Sequence, residues 1–144
     1  MLALMMQESD CIASAFSGSS TGLMQINLIH CGEYGLPSDK TECKKELMNN
    51  QEKNIEIGAK ILKEEYTNFK GGKEFYKCVK ERTIVDYSGW EAALRGYNGW
   101  GMKKEEYLKG DYCPAYLKGQ EDFVEEVMRR YKILGGSYLE REKT

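Results

Sequence analysis

The stretch from residue 51 to 69 constrains this chain most. Ile55, Ala59, Leu62, Tyr66 and Phe69 recur there at spacings of three and four, which predicts a long amphipathic helix with one apolar face. Asn49 or Asn50 can cap its start, and Gly71-Gly72 ends it, as glycine commonly does. No stretch alternates long enough to demand a strand, so the other elements are expected to be helices between turn-rich loops. Residues 1–9 are apolar and helix-compatible, and residues 10–21 are small and polar enough for a structured loop. A short helix is expected from about Thr21 through Leu23, Ile26 and Ile29, broken by Gly32 and Gly35-Leu36-Pro37. Lys73–Ser88 is ambiguous. A helix over Trp90–Tyr97 closes at Asn98-Gly99-Trp100-Gly101. A last one over residues 120–134 turns Phe123, Val127, Tyr131 and Leu134 inward before Gly135-Gly136. The expectation is a compact, mainly α globule with at most a minimal β element: one domain over residues 1–136 and a polar tail over 137–144.

The 144 residues are 41% hydrophobic and 11% aromatic, enough to fill one core without help. Basic (21) and acidic (23) residues interleave to a formal charge of -2. Nucleic-acid binders usually carry a clear basic excess, so no nucleic-acid partner is expected. No apolar run approaches membrane-spanning length, so no integral membrane segment is expected either. The opening Met1–Met6 is too short for a signal-peptide core and lacks a basic flank. It reads as the end of a helix whose earlier turns, or export signal, lie upstream. A trimmed domain of a longer protein, acting as a monomer, is the expectation.

Cys11, Cys31, Cys43, Cys78 and Cys113 are many for a cytosolic chain of this size. They suggest an oxidising compartment with up to two disulfides and one thiol left over. Sequence does not fix the pairing; Cys31 with Cys43 and Cys78 with Cys113 are the short-range choices. Two other readings stand beside this one. The five could be reduced, buried thiols acting as small hydrophobes, or His30, Cys31 and Cys43 could hold zinc, although no two cysteines sit at the spacing metal ligands favour.

Three short features carry candidate chemistry. Glu8 stands at the end of an apolar helix, one turn after Leu4 and Met5, where lost solvation would raise its pKa toward a range useful for proton donation. Gly22-Leu23-Met24-Gln25-Ile26-Asn27 on its own reads as a short core helix. Tyr97-Asn98-Gly99-Trp100-Gly101 on its own reads as a helix stop; in a functional reading its rings stack on sugar faces and Asn98 bonds to hydroxyl or acetamido groups. Taken together, Glu8-Ser9, Gly22-Leu23-Met24-Gln25-Ile26, Asn54-Ile55-Glu56-Ile57-Gly58 and Tyr97-Asn98-Gly99 occur in one order with suitable gaps. That succession closely resembles the soluble lytic transglycosylase (SLT) domain of the lysozyme-like superfamily, from about Met1 to Tyr131.

The resemblance implies a lysozyme-like fold, a peptidoglycan glycan strand as partner and substrate, and action outside the cytoplasm or on a virion, within a secretion, conjugation or phage protein. It makes Glu8 the catalytic residue. Ser17 corresponds to the serine that orients the sugar or the acid, Met24 and Gln25 line the cleft, and Tyr97 points toward the catalytic carboxyl with Asn98 beside it. Asn54 and Gly58 become packing residues. No metal or organic cofactor is implied. The chain departs from the pattern in a Glu8–Gly22 loop one residue shorter, in Asn27 where Met is frequent, and in Phe123 where a Tyr is frequent. The stretches Cys31–Cys43 and Gly71–Tyr87 have no counterpart. Two rivals remain: a hydrolytic muramidase with Asp10, Glu33 or Asp39 placing the water, and a silent glycan-binding or assembly domain. A plain helical structural protein is the last alternative.

Overall fold

A computed structural model of the chain describes residues 1–136; the tail expected over 137–144 lies outside them. The described residues form six α-helices, two 3-10 segments and two small antiparallel strand pairs. The fold is mainly α, as the helical periodicity predicts. The described residues divide into two compact units, Met1–Lys60 with residues 127–136, and Ile61–Glu126.

In the first unit, α1 (Leu2–Ser9) stops where Asp10 turns left-handed at φ 53° and its N–H bonds to Met6 O. Aspartate is one of the few residues that visits this region routinely. The helix expected from Thr21 is absent. Instead β1 (Ser20–Thr21) pairs antiparallel with β2 (Ile26–Asn27), Thr21 opposite Ile26, and a 3-10 segment, Leu28–Tyr34, follows. Gly22 at φ 84° and Gln25 at φ 49° lie in the left-handed region, which a right-handed helix cannot accommodate. Leu23 and Ile26 are still buried, on a hairpin rather than a helix face.

α2 (Lys40–Asn49) was not legible, because Cys43 and Leu47 are its only buried residues. Asp39 caps it, its side chain accepting from Glu42 N at 3.0 Å. α3 (Gln51–Phe69) is the expected long helix. Asn50 Oδ1 accepts from Lys53 N at 3.0 Å, which makes Asn50 the capping residue. Its buried positions are Asn54, Ile57 and Gly58, whereas Ala59 is exposed. The inner face is therefore rotated by about one residue from the apolar stripe, because a buried polar Asn54 belongs to it. Cys31 and Cys43 are joined by a disulfide.

In the second unit, Lys73–Ser88 proves to be a hairpin of β3 (Lys73–Lys77) and β4 (Thr83–Tyr87), with Phe75 opposite Val85. Phe75, Tyr76 and Tyr87 are its buried side chains. A disulfide ties Cys78, just past β3, to Cys113. α4 (Gly89–Asn98) matches the expected helix to within a residue and buries Ala92 to Arg95. α5 (Lys104–Leu108) and the 3-10 segment Ala115–Leu117 follow; both are too short to leave a periodic signal. α6 (Phe123–Ile133) buries Phe123, Val124 and Val127. Leu134, expected on its inner face, lies beyond the helix and is exposed.

The hairpin and α6 are joined by charge. Lys77 Nζ sits 3.2 Å from Asp122 Oδ1 and 3.1 Å from Glu125 Oε1, and Tyr87 Oη donates to Glu125 at 2.6 Å. Glu121, almost fully buried, accepts from Cys78 N and Val79 N at 3.2 and 3.3 Å. A carboxylate buried with two N–H donors is satisfied, where an unpaired one would be costly.

Candidate active site

Glu8 occupies the last turn of α1, half-buried. Burial pushes its carboxyl from the ordinary 4.5 up to about 8. The cause is desolvation alone: removing water disfavours the charged form, and no cation or donor offsets it. At neutral pH most of this group therefore carries its proton.

The turn that presents Glu8 is anchored by its neighbour. Ser9 is buried, and its hydroxyl lies 2.7 Å from Leu23 O and 3.1 Å from Met5 O. One hydroxyl proton serves one acceptor at a time, and the closer Leu23 O is the better partner. The end of α1 is thus tied to the Gly22–Gln25 turn. Gln7 adds a second tie, accepting from Arg130 Nε at 2.9 Å. Sequence reasoning noted the Glu8-Ser9 pair but gave Ser9 no task; only the fold shows which carbonyl it meets.

The Gly22–Gln25 turn is held from inside by α3. Asn54, with no exposed surface, accepts from Met24 N at 2.8 Å and donates to Thr21 O at 3.0 Å and Leu47 O at 3.2 Å. A Cβ on Gly22 would come within 2.1 Å of Asn54 Nδ2, and its φ of 84° is unfavourable to other residues as well. Both reasons require glycine there. Gly58 leaves room one turn along α3 for the Met24 side chain.

These contacts redistribute the expected roles. Asn54 and Gly58 are packing residues, as the resemblance implies. Met24 is fully buried, so its side chain supports the turn from behind and has no surface to offer a sugar. Gln25 is half-buried, and its Nε2 donates to Ala15 O at 3.1 Å and Gly22 O at 3.0 Å. Both amide protons serve the loop. Ser17 is exposed, in a tight turn where its N donates to Ser20 O at 3.0 Å.

In the second unit, Tyr97 and Asn98 end α4, each half-buried. Arg95 donates through Nε to Gly99 O at 2.9 Å, through Nη1 to Gln120 O at 3.0 Å, and through Nη2 to Asn98 Oδ1. Its charge carries only 1% exposure, a burial that the sequence did not flag. The Trp100 ring packs on Phe69 at 5.1 Å, with Lys73 Nζ 4.9 Å from its centre, so protein groups already meet the ring proposed for sugar stacking.

Of the residues offered as water-placing or metal-binding groups, all but Asp10 have other partners. Asp39 caps α2, Asp10 is the exposed left-handed C-cap of α1, and Glu33 Oε2 lies 3.4 Å from His30 Nδ1. Cys31 and Cys43 are joined to each other, which rules out the zinc reading and, with Cys78–Cys113, the reading of five reduced thiols. Cys11 is the exposed free thiol. No cluster of three or more His, Cys, Asp or Glu that could hold a metal occurs among the described residues. No helix among them is long and apolar enough to cross a membrane.

Comparison with curated proteins and with solved structures gave no significant match. A family model, Transglycosylase SLT domain, matches residues 1–116. That span contains Glu8-Ser9, the Gly22–Ile26 turn, the Asn54–Gly58 helix segment and Tyr97-Asn98. At the level of the family it carries lytic-transglycosylase-type cleavage of peptidoglycan glycan strands, on a mainly α, lysozyme-like fold. Peptidoglycan lies outside the cytoplasmic membrane, so such an activity is exerted there. The chain belongs to the transglycosylase SLT-domain family.

Proposed function

We propose that this chain cuts the β-1,4 bond between N-acetylmuramic acid and N-acetylglucosamine without water, with Glu8 as the single acid and base. The observation that carries this reading is a carboxyl held protonated by burial alone, up to about 8, in a half-exposed position. Neutral Glu8 donates its proton to the glycosidic oxygen as the C1–O bond breaks, and the N-acetylglucosamine side leaves as an alcohol. The resulting carboxylate takes the proton of the muramic C6 hydroxyl, whose oxygen bonds to C1 and closes a 1,6-anhydro ring. Glu8 ends protonated, ready for another cycle. One residue serves both steps because the proton it gives in the first leaves the carboxylate base that the second needs.

Hydrolysis with inversion or retention generally uses two carboxylates flanking the bond. Asp10, Glu33 and Asp39 are exposed, and the latter two are engaged elsewhere, which favours the one-carboxylate reading over a muramidase. Ser17, Gln25 through Oε1, Tyr97 and Asn98 are the proposed sugar contacts, with Met24 as their support. Two disulfides suit a domain that works in the periplasm, cell wall or medium, or on a virion. A larger secretion, conjugation or phage protein is the proposed setting.

Mass analysis of the fragments released from purified cell walls tests the reading. The expected products are one water lighter than reducing-end muropeptides, and Glu8→Gln should release none. Reducing-end products alone would turn the assignment to the muramidase. Equal activity of parent and variant would leave Glu8 without a catalytic role.

A further inference from the structure

We propose that Arg95 is a positioning residue that fixes the Asn98 amide with its nitrogen outward, so that the chain selects glycans that keep the N-acetyl group. The inference rests on Asn98 being a sugar contact, as proposed above.

A guanidinium has five N–H donors and no acceptor. Arg95 is buried to 1% exposure with its guanidinium carbon 4.2 Å from the centre of the Phe75 ring. Nε and Nη1 are fixed on Gly99 O and Gln120 O, with Glu121 O 3.5 Å from Nη1. The fork therefore cannot swing, and Nη2 meets the side chain of Asn98. Only the amide oxygen can face a donor, so the NH2 limb must point the other way. Nδ2 has no hydrogen-bond partner among the described residues and is not among the fully buried unpaired atoms, so it keeps some exposed surface on a half-buried residue.

An asparagine on a surface normally offers a ligand either limb, because the amide can turn over. Here the oxygen is taken by a rigid cation, and the exposed limb is a donor only. Its natural complement is an acceptor such as an acetamido carbonyl. The ammonium of a de-N-acetylated hexosamine is also a donor only, and it meets a second mismatch in the nearby Arg95 charge. A site built to hydrogen-bond one group discriminates strongly against an analogue that lacks it.

The test measures binding in a Glu8→Gln background, where the ligand is not consumed. Calorimetry would compare the N-acetylglucosamine tetramer with the glucosamine tetramer. The expected result is a clear preference for the acetylated tetramer. Asn98→Asp still accepts from Arg95 but has no outward proton, and should reduce that preference about tenfold with the melting midpoint close to that of Glu8→Gln. Arg95→Lys keeps the charge and loses the fork, and should reduce the preference if the variant folds. An unchanged preference in Asn98→Asp, a full preference in folded Arg95→Lys, or no binding of either tetramer by Glu8→Gln would each overturn the proposal. Failure of the cleavage reading is seen separately, as Glu8-intact protein that shows the preference and releases no muropeptides.

Discussion

Asn54 Oδ1 accepts the backbone N–H of Met24 at 2.8 Å, thirty positions away in sequence, while its Nδ2 donates to Thr21 O and Leu47 O. A turn with little regular structure thereby borrows its hydrogen bonds from a helix side chain. Asn54→Ala would leave one buried N–H and two buried carbonyls short of their partners. The expected cost is about 3 to 5 kcal/mol, read as a lower urea midpoint. A loss below about 1 kcal/mol would mean that the turn is held by its burial instead.

Gly58→Ala sets two effects against each other. Alanine favours a helix over glycine by about 1 kcal/mol, but the new Cβ would lie 2.7 Å from Met24 Cβ and Cγ and 2.8 Å from Cε. Cβ cannot rotate away, so overpacking of about 1 to 3 kcal/mol should win. Thermal melting should show net destabilisation, and adding Met24→Ala should make Gly58→Ala less costly than it is alone. Additive losses would place the strain elsewhere.

The raised carboxyl of Glu8 predicts two pH effects of known sign. Activity needs the protonated form, so kcat/KM should be flat below about 8 and fall roughly tenfold per pH unit above it. For stability, the folded state holds this proton more tightly than the unfolded chain, whose value is the ordinary 4.5. That contribution is fully present below 4.5 and is lost as pH rises through about 8. Glu8→Gln cannot ionise. It should match the parent near pH 4 and exceed it above pH 8 by about 2 kcal/mol, a figure reduced from the full shift because the group is partly exposed. Denaturation curves at the two pH values check this, and identical curves would mean an unperturbed carboxyl.

Loop closure ranks the two disulfides. Cys31–Cys43 spans 12 residues and Cys78–Cys113 spans 35, which in the chain-entropy picture correspond to about 3 and about 4 kcal/mol. Replacing the second pair with alanine should therefore lower stability more than replacing the first, and Cys11→Ser should do little because that thiol is exposed. Melting of the three variants under non-reducing conditions decides the order. A larger loss from the first pair would show that packing outweighs loop entropy, since Cys31 and Cys43 are both buried.

The sequence by itself determined the long helix over 51–69, the helix before Asn98 and the mainly α class, and it offered the two cysteine pairs only as short-range choices that the fold then fixed. These rest on local periodicity, capping and chain distance, which act within a few turns or a short loop. The proposal for Glu8 came from the order of four motifs, since its own surroundings read as ordinary. Other features depended on partners far along the chain. The apolar spacing of Leu23 and Ile26 suggested a helix, yet left-handed Gly22 and Gln25 made a turn, because Asn54 and Ser9 supply hydrogen bonds that no local pattern announces. Met24 looked like a sugar contact until Gly58 opened a space for it. Arg95 looked like any helix cation until the chain folded Gly99, Gln120 and Phe75 around it. Only the tertiary structure decided these, because burial and hydrogen-bond partnership are set by residues that meet in space after folding.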